Sequence, residues 1–400
     1  MIKPFLLFRG PVKTVSGYGA HSRDLLKMLY STNLFEIKID SCPWGMTPMS
    51  AMNEKNDFND WVNQNIITEL HRKPDIYFQV TIPSEFTPLG NFNIGFTAGI
   101  ESTVAPKDWI EGCNRMDLVI TTSQFSKKVL ENSILEEVDQ ATNQVIKVHK
   151  VNKPIEVIFE GIDTDIFKKT ESSFDLSHIK ETNVFLFLGH WLKGDLGQDR
   201  KDVGMLIKSF CVAFENQKDV ALLLKTSTAS FSVVDRERIR KNIETIVQDI
   251  INPPSIYLLF GELSDDEING LYNHKKIKSF VTFTKGEGFG RPMLEFTMTG
   301  KPVIASNWSG HLDFLPKDKS ILLDGTINPV HDSAVDNFII KDSKWFTVDY
   351  LKAIDKLKDV FENYDEYQKK SEELRIVNSV DFSKEKMKEE FLNIYSKYKK

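Results

Sequence analysis

SFVTFTKGEGFGRPMLEFTMTGKPVIASNWSG, residues 279–310, reads as a strand, a glycine loop, a helix and a second strand in immediate succession. Phe280–Phe283 is a short apolar run bounded by turn residues, which predicts a buried strand. Gly286, Gly288 and Gly290 punctuate the loop after it. Pro292 stands near the first position of the following helix, where its missing N–H is harmless. Gly300-Lys301-Pro302 stops that helix, and Pro302–Ala305 returns as a strand. Such a junction gathers free backbone N–H groups at the positive end of a helix, which makes it an anion site. Glu295 falls within about the first turn of the helix. A carboxylate there can accept two hydrogen bonds from a vicinal diol, such as the 2′- and 3′-hydroxyls of a ribose.

The same alternation extends in both directions and predicts an α/β fold with parallel sheets. In the first half the strand candidates are Phe5–Phe8, Phe35–Ile39, Asp75–Val80, Asn93–Phe96, Leu118–Thr121 and Ile155–Phe159, with helices over Tyr18–Leu29, Phe58–Leu70 and Ser123–Leu130. In the second half Val184–Leu188, Val220–Leu224 and Ile256–Phe260 read as strands. Met205–Phe214 and Arg236–Ile251 read as helices, Pro253-Pro254 terminating the second, and Ser264 caps another. From Val348 onward the chain is almost wholly helical in pattern. The expected division is an N-terminal Rossmann-like domain over 1–165, a linker over 166–182 and a C-terminal Rossmann-like domain over 183–380. A C-terminal helix over 381–400 is expected to pack back on the first domain, and the two domains to face each other across a cleft.

Four hundred residues suit two cores rather than one. With 41% hydrophobic and 27% charged residues the composition is that of a globular enzyme. A net charge of -6 supplies no global basic field for a polyanion, although a local basic groove around Arg9, Lys13 and Arg23 is compatible with it. Three dispersed cysteines (Cys42, Cys113 and Cys211) form no CxxC pair, which argues against a disulfide framework or structural zinc and for a reducing compartment. The opening Met1–Arg9 is too short for a signal-peptide core, and no stretch approaches a spanning helix. A cytoplasmic protein is expected, with the basic end Tyr395–Lys400 able to meet an anionic surface.

Seven residues separate Glu287 from Glu295. The form E-G-F-G-x-P-x-x-E and the strand G-K-P-V-I-A-S behind it resemble the retaining GT-B glycosyltransferases that carry an E-x7-E motif, the family 4-like, group 1 glycosyl transferases. The resemblance implies a GT-B fold and a nucleoside-diphosphate sugar donor, UDP-, GDP- or other, with neither cofactor nor metal. It implies that Glu295 binds the donor ribose, that Glu287 contacts the donor sugar, and that the backbone of Gly288, Phe289 and Gly290 approaches the diphosphate. Lys201 becomes the phosphate lysine and Arg200 its neighbour, after the strand ending at Gly189-His190 and an insertion over Trp191–Asp199. His190 stands where the family usually has arginine, and Asp202 where it has glycine. Lys225, at the end of an apolar strand, belongs to the same ligand-facing edge. Cationic groups, amides and a helix dipole would offset the charge of the leaving group, and a front-face reaction needs no protein nucleophile.

On the acceptor side, Ser16-Gly17-Tyr18-Gly19 resembles the family's first glycine loop, which makes Gly17 and Gly19 site residues with Tyr18 beside them. Thr122–Ser126 and Glu160–Phe167, with Gly161 and Asp163, match structural segments of the family. Where many members carry a histidine near the reacting sugar, this chain has Phe96–Thr103, and Glu101 is the candidate to bond or activate the acceptor hydroxyl. His311 and Asp313 are too sparse for a metal pair and suit capping or donor contacts. The acceptor stays open between a glycan or lipid-linked glycan and a modified DNA base such as hydroxymethylcytosine. The rival readings are a sugar-nucleotide epimerase of the same fold and a non-catalytic nucleotide-sugar-binding subunit.

Overall fold

Strands that are apolar on both faces need helices on both sides, and the chain supplies them twice. The computed structural model describes residues 3–228 and 231–398, so Met1, Ile2, Lys399 and Lys400, which entered the expectations for the chain ends, lie outside the described residues. The chain divides into two compact units: residues up to Gly161 together with those from Lys384, and Ile162–Ser383.

In the first unit β1 (Phe5–Gly10), α1 (Gly17–Thr32), β2 (Glu36–Ser41), α2 (Asp57–Asn65), β3 (Ile76–Val80), β4 (Phe92–Thr97), α3 (Lys107–Arg115), β5 (Leu118–Thr121) and α4 (Gln124–Asn132) follow one another, α3 being a helix that the sequence pattern did not predict. They are followed by a hairpin, β6 (Leu135–Val138) and β7 (Val145–His149), and by β8 (Ile155–Val157). The sheet is parallel in the order β2-β1-β3-β4-β5-β8. Alternation of side chains sends Leu6 and Phe8 of β1 into a cluster with Leu25, Leu26 and Leu29 of α1, and Phe5 and Leu7 into another with Trp109, Ile110 and Cys113 of α3. Ser16 caps α1, its side chain accepting from the Gly19 N–H at 3.0 Å. α2 is shorter than the expected 58–70 because Ile66 turns extended and bridges Ile39.

The second unit contains β9 (Asn183–Leu188), α5 (Val203–Ala213), β10 (Val220–Lys225), α6 (Val233–Val247), β11 (Ser255–Leu259), α7 (Asp265–Asn273) and β12 (Ile277–Val281). The chain continues with α8 (Arg291–Thr297), β13 (Val303–Ser306), β14 (Ile321–Leu323), a hairpin of β15 (Gly325–Pro329) and β16 (Lys344–Val348), α9 (Tyr350–Glu362) and α10 (Tyr364–Asp381). Its parallel sheet runs β11-β10-β9-β12-β13-β14, so the chain reverses direction across the sheet between β9 and β12. Open sheets of this kind bind ligands outside the carboxyl ends of the strands at that reversal. Residues 166–182 lie within this unit. Phe167, Leu176 and Ile179 are buried, and the Lys168 N–H donates to Asn269 Oδ1 at 3.2 Å. α11 (Lys384–Tyr398) belongs to the first unit, where Met387, Phe391 and Ile394 complete the core beside α1. No helix among the described residues is long and apolar enough to cross a membrane.

Candidate functional site

The loops after β9 and β12 meet at the reversal of the second sheet, and they carry the charges picked out above. Lys201 Nζ forms an ion pair with Glu287 Oε1. Arg200 reaches Glu287 Oε2 at 3.4 Å and donates to the Gly286 carbonyl at 2.9 Å. Glu287 is only 6% exposed. Burial pushes its carboxyl up, but Lys201 and Arg200 overcome that and hold it at about 2, so it is ionised throughout the working range. Its main chain is fixed on both sides, the N–H donating to Ser309 Oγ at 2.9 Å and the carbonyl accepting from the Gly310 N–H at 3.0 Å. Ser309 sits at φ 85, a conformation unusual for a residue with a Cβ.

Positive charge exceeds negative here. His190 Nδ1 lies 3.0 Å from Ser227 Oγ, and its pKa is lowered by the protein packed round it and by Lys201, Arg200 and Lys225. Lys225 donates to the Gly261 carbonyl at 2.6 Å and stands 5.5 Å over the Phe231 ring. Burial lowers its pKa, with Glu262 opposing. Arg200, Lys201 and Lys225 thus stand against Glu287 and Glu262, and the positive charge left over suits an anion.

The glycine loop owes its form to close packing. Gly290 is left-handed at φ 99, and a Cβ on it would come within 2.6 Å of Met293 and 3.1 Å of His311. The Phe289 ring turns into the core against Phe314 at 5.0 Å. Glu295 accepts from Arg291 Nε at 2.7 Å and lies beside buried Tyr272, whose hydroxyl is raised well above its ordinary pKa by burial and by Glu295. His311 is fully buried, donates from Nε2 to the Ser306 carbonyl at 2.7 Å, and has its pKa lowered by burial. It braces the Glu287 loop, with Asp313 at the end of the same short 3-10 turn, Gly310–Asp313. Among the described residues no group of three or more histidine, cysteine, aspartate or glutamate side chains is placed to hold a metal.

Asp199 and Asp202, which flank the Arg200–Lys201 pair, are buried carboxyls that sequence reasoning did not assign to the site. Burial, with Asp202 adding, raises Asp199 to about 7. An acid whose folded pKa is raised contributes stability that is intact below its ordinary value of 3.8 and is lost as pH rises through about 7. Asp199→Asn keeps the acceptor for the Val203 N–H and removes the charge. Urea unfolding is expected to show the variant more stable than wild type at pH 8, by about 2–4 kcal/mol, and equal to it near pH 4. An equal difference at both pH values would rule out ionisation as the cause.

The first unit assembles a second group. Tyr18 OH accepts from the Ala98 N–H and meets Thr97 Oγ1, each at 3.1 Å, and its ring stacks on Trp44 with centroids 4.0 Å apart. Burial pushes Tyr18 up to about 12, with Glu101 and Glu160 adding to the shift. Glu101 and Glu160 thus lie near enough to Tyr18 to act on its charge, and Trp44, which escaped the sequence reading, stacks on it. The two glycines of this loop differ: Gly17 has open space where a Cβ would stand, whereas a Cβ on Gly19 would lie 2.2 Å from the Thr14 carbonyl. Gly19 thus serves helix–loop packing, and Gly17 is the position that something outside the chain can approach. Gly161 donates its N–H to Met387 Sδ at 3.3 Å, Asp163 accepts from the Phe167 N–H at 2.8 Å, and Ser123 caps α4.

No family model matches the sequence, and no curated protein is similar to it. Solved structures do resemble it. HepE of Anabaena, in complex with UDP and glucose, aligns with a TM-score of 0.59 at 12% identity over 98% of this chain and 100% of its own. The sucrose-phosphate synthase of Thermosynechococcus elongatus gives a TM-score of 0.63 at 12% identity over 99% and 98%. A glycosyltransferase of Rickettsia africae gives 0.58 at 14% identity over the same shares. The fold is therefore of the GT-B type, with two Rossmann-like domains and additional helices.

Proposed function

We propose that this chain is a retaining glycosyltransferase that moves a sugar from a nucleoside-diphosphate sugar to an acceptor hydroxyl. The observation that carries the reading is the clasp of Lys201 and Arg200 on ionised Glu287, within a surplus of positive charge at the sheet reversal. In this reading Lys201, Arg200 and Lys225 receive the diphosphate and offset the charge that develops on it as the glycosidic bond breaks, without a metal. Glu287 orients the hydroxyls of the donor sugar, and Glu295 takes the ribose diol. The leaving phosphate assists removal of the acceptor proton, with Tyr18 and Glu101 contributing to the acceptor side. UDP-sugars are the first donors to test, since HepE was solved with UDP-glucose. A glycan or lipid-linked glycan is the default acceptor.

Thermal unfolding in the presence of UDP-, GDP-, ADP- and dTDP-sugars tests the donor site. A ligand at a hundred times its dissociation constant is expected to add about 2.7 kcal/mol of stability, and one nucleotide series should stand out. No shift with any of the four would sink the reading. Product analysis then separates transfer from epimerisation: an epimerised donor with no acceptor consumed points to the epimerase. NMR of the new anomeric centre reports retention directly.

A further inference from the structure

Two residues before Glu287 stands Lys285, a lysine with no solvent exposure. An uncompensated buried ammonium costs several kcal/mol, so it needs a partner. Its Nζ lies 3.1 Å from Oδ2 of Asp202, also fully buried, and donates to Thr347 Oγ1 at 3.2 Å. The Tyr350 hydroxyl donates to the same Asp202 oxygen at 2.7 Å. Burial raises the Asp202 pKa while Lys285 and Tyr350 oppose the shift. The main chain joins the same lacing: the Lys285 N–H donates to the Arg200 carbonyl at 2.7 Å, and the Phe346 N–H to the Lys285 carbonyl at 3.1 Å. Lys285 thus holds the residue on each side of Lys201, Arg200 through its backbone and Asp202 through its side chain. Asp202 is left-handed at φ 51, where local preference favours glycine. What the aspartate adds there is the buried ion pair.

We propose that Asp202 and Lys285 are positioning residues: their pair, anchored by Tyr350, sets the Arg200–Lys201 segment against the Glu287 loop so that both cations meet a diphosphate in bonding geometry. The inference rests on reading that clasp as a nucleoside-diphosphate site. Neither residue touches the diphosphate; each acts through Lys201 and Arg200.

The test compares wild type, Lys285→Met, Asp202→Gly and the double variant, using urea unfolding and calorimetric titration with UDP, GDP and ADP. Each single variant strands one buried charge and loses stability. The double variant removes both charges and relieves the left-handed strain, so its stability returns close to wild type. If the pair positions the clasp, the double variant still binds the nucleoside diphosphate about 10-fold more weakly. Adding Lys201→Ala to it then costs far less affinity than the same change costs wild type, because both act on one contact. Tyr350→Phe, which keeps both charges and deletes one hydroxyl, should weaken binding about 3-fold and covers the case of a double variant that does not fold. A stable double variant that binds like wild type, losses additive with Lys201→Ala, or unchanged affinity in Tyr350→Phe each overturns the inference and leaves the donor-site reading standing. A wild type that binds none of the three nucleotides overturns both.

Discussion

Glu287→Ala is expected to cut sugar transfer about 1,000-fold while leaving UDP affinity equal or tighter. The two halves of this result have opposite electrostatic origins. Glu287 is ionised and spends its charge on Lys201 and Arg200. Deleting it releases two cations toward the diphosphate, so nucleotide binding has no reason to fall. Transfer loses the carboxylate that would hold the donor sugar while its anomeric centre becomes cationic. Glu287→Gln should behave alike, since the amide keeps the shape and lacks the charge. Steady-state kinetics beside calorimetry with UDP reads both quantities. Undiminished turnover would remove Glu287 from the reaction, and affinity lost in step with turnover would mean that the loop had collapsed.

The second large effect is steric. A Cβ on Gly310 would stand 2.1 Å from the Gly288 carbonyl oxygen and 2.8 Å from that of Glu287, all main-chain atoms that cannot rotate away. Gly310→Ala must push the glycine loop off Ser309 and Gly310, whose hydrogen bonds fix Glu287. The expected cost is about 3 kcal/mol of stability. Transfer should fall about 100-fold even at temperatures where the variant is folded, because a displacement of about 1 Å at a reacting group is enough. Gly17→Ala, with open space at its Cβ, is the matched control and should unfold at the wild-type urea midpoint. Equal stability of Gly310→Ala and wild type would show that the loop has slack the geometry does not suggest.

What could be read from the chain alone followed the range of the forces involved. The strand–loop–helix unit around Glu287 was legible because glycine and proline constrain their own backbone. The sheet candidates were legible because strands such as Val184–Leu188 are continuous apolar runs. Lys285 was not, since a lysine beside a glycine in a loop looks solvated, and only the return of Thr347 on β16 and Tyr350 on α9 reveals its burial. The hairpin β6–β7 was missed because its strands are short and mostly exposed, and β15–β16 because it pairs an exposed strand with one whose buried Trp345, Phe346 and Val348 do not alternate. Phe167, Leu176 and Ile179 insert singly into the second unit and leave no periodic trace in a polar stretch. Trp44 and Glu160 reach Tyr18 from distant parts of the sequence, which no local pattern records.

The place of α11 bears on how the molecule comes to be made. The second unit is one unbroken segment and has all its core as soon as Ser383 has been synthesised. The first unit starts earlier and finishes later, for its core lacks Met387, Phe391 and Ile394 until α11 appears. At ordinary translation rates the N-terminal sheet waits on the order of tens of seconds for that helix, with the face beside α1 uncovered. Of the two units the one begun first is thus completed second, and in that interval a chaperone or a premature contact would find its hold there.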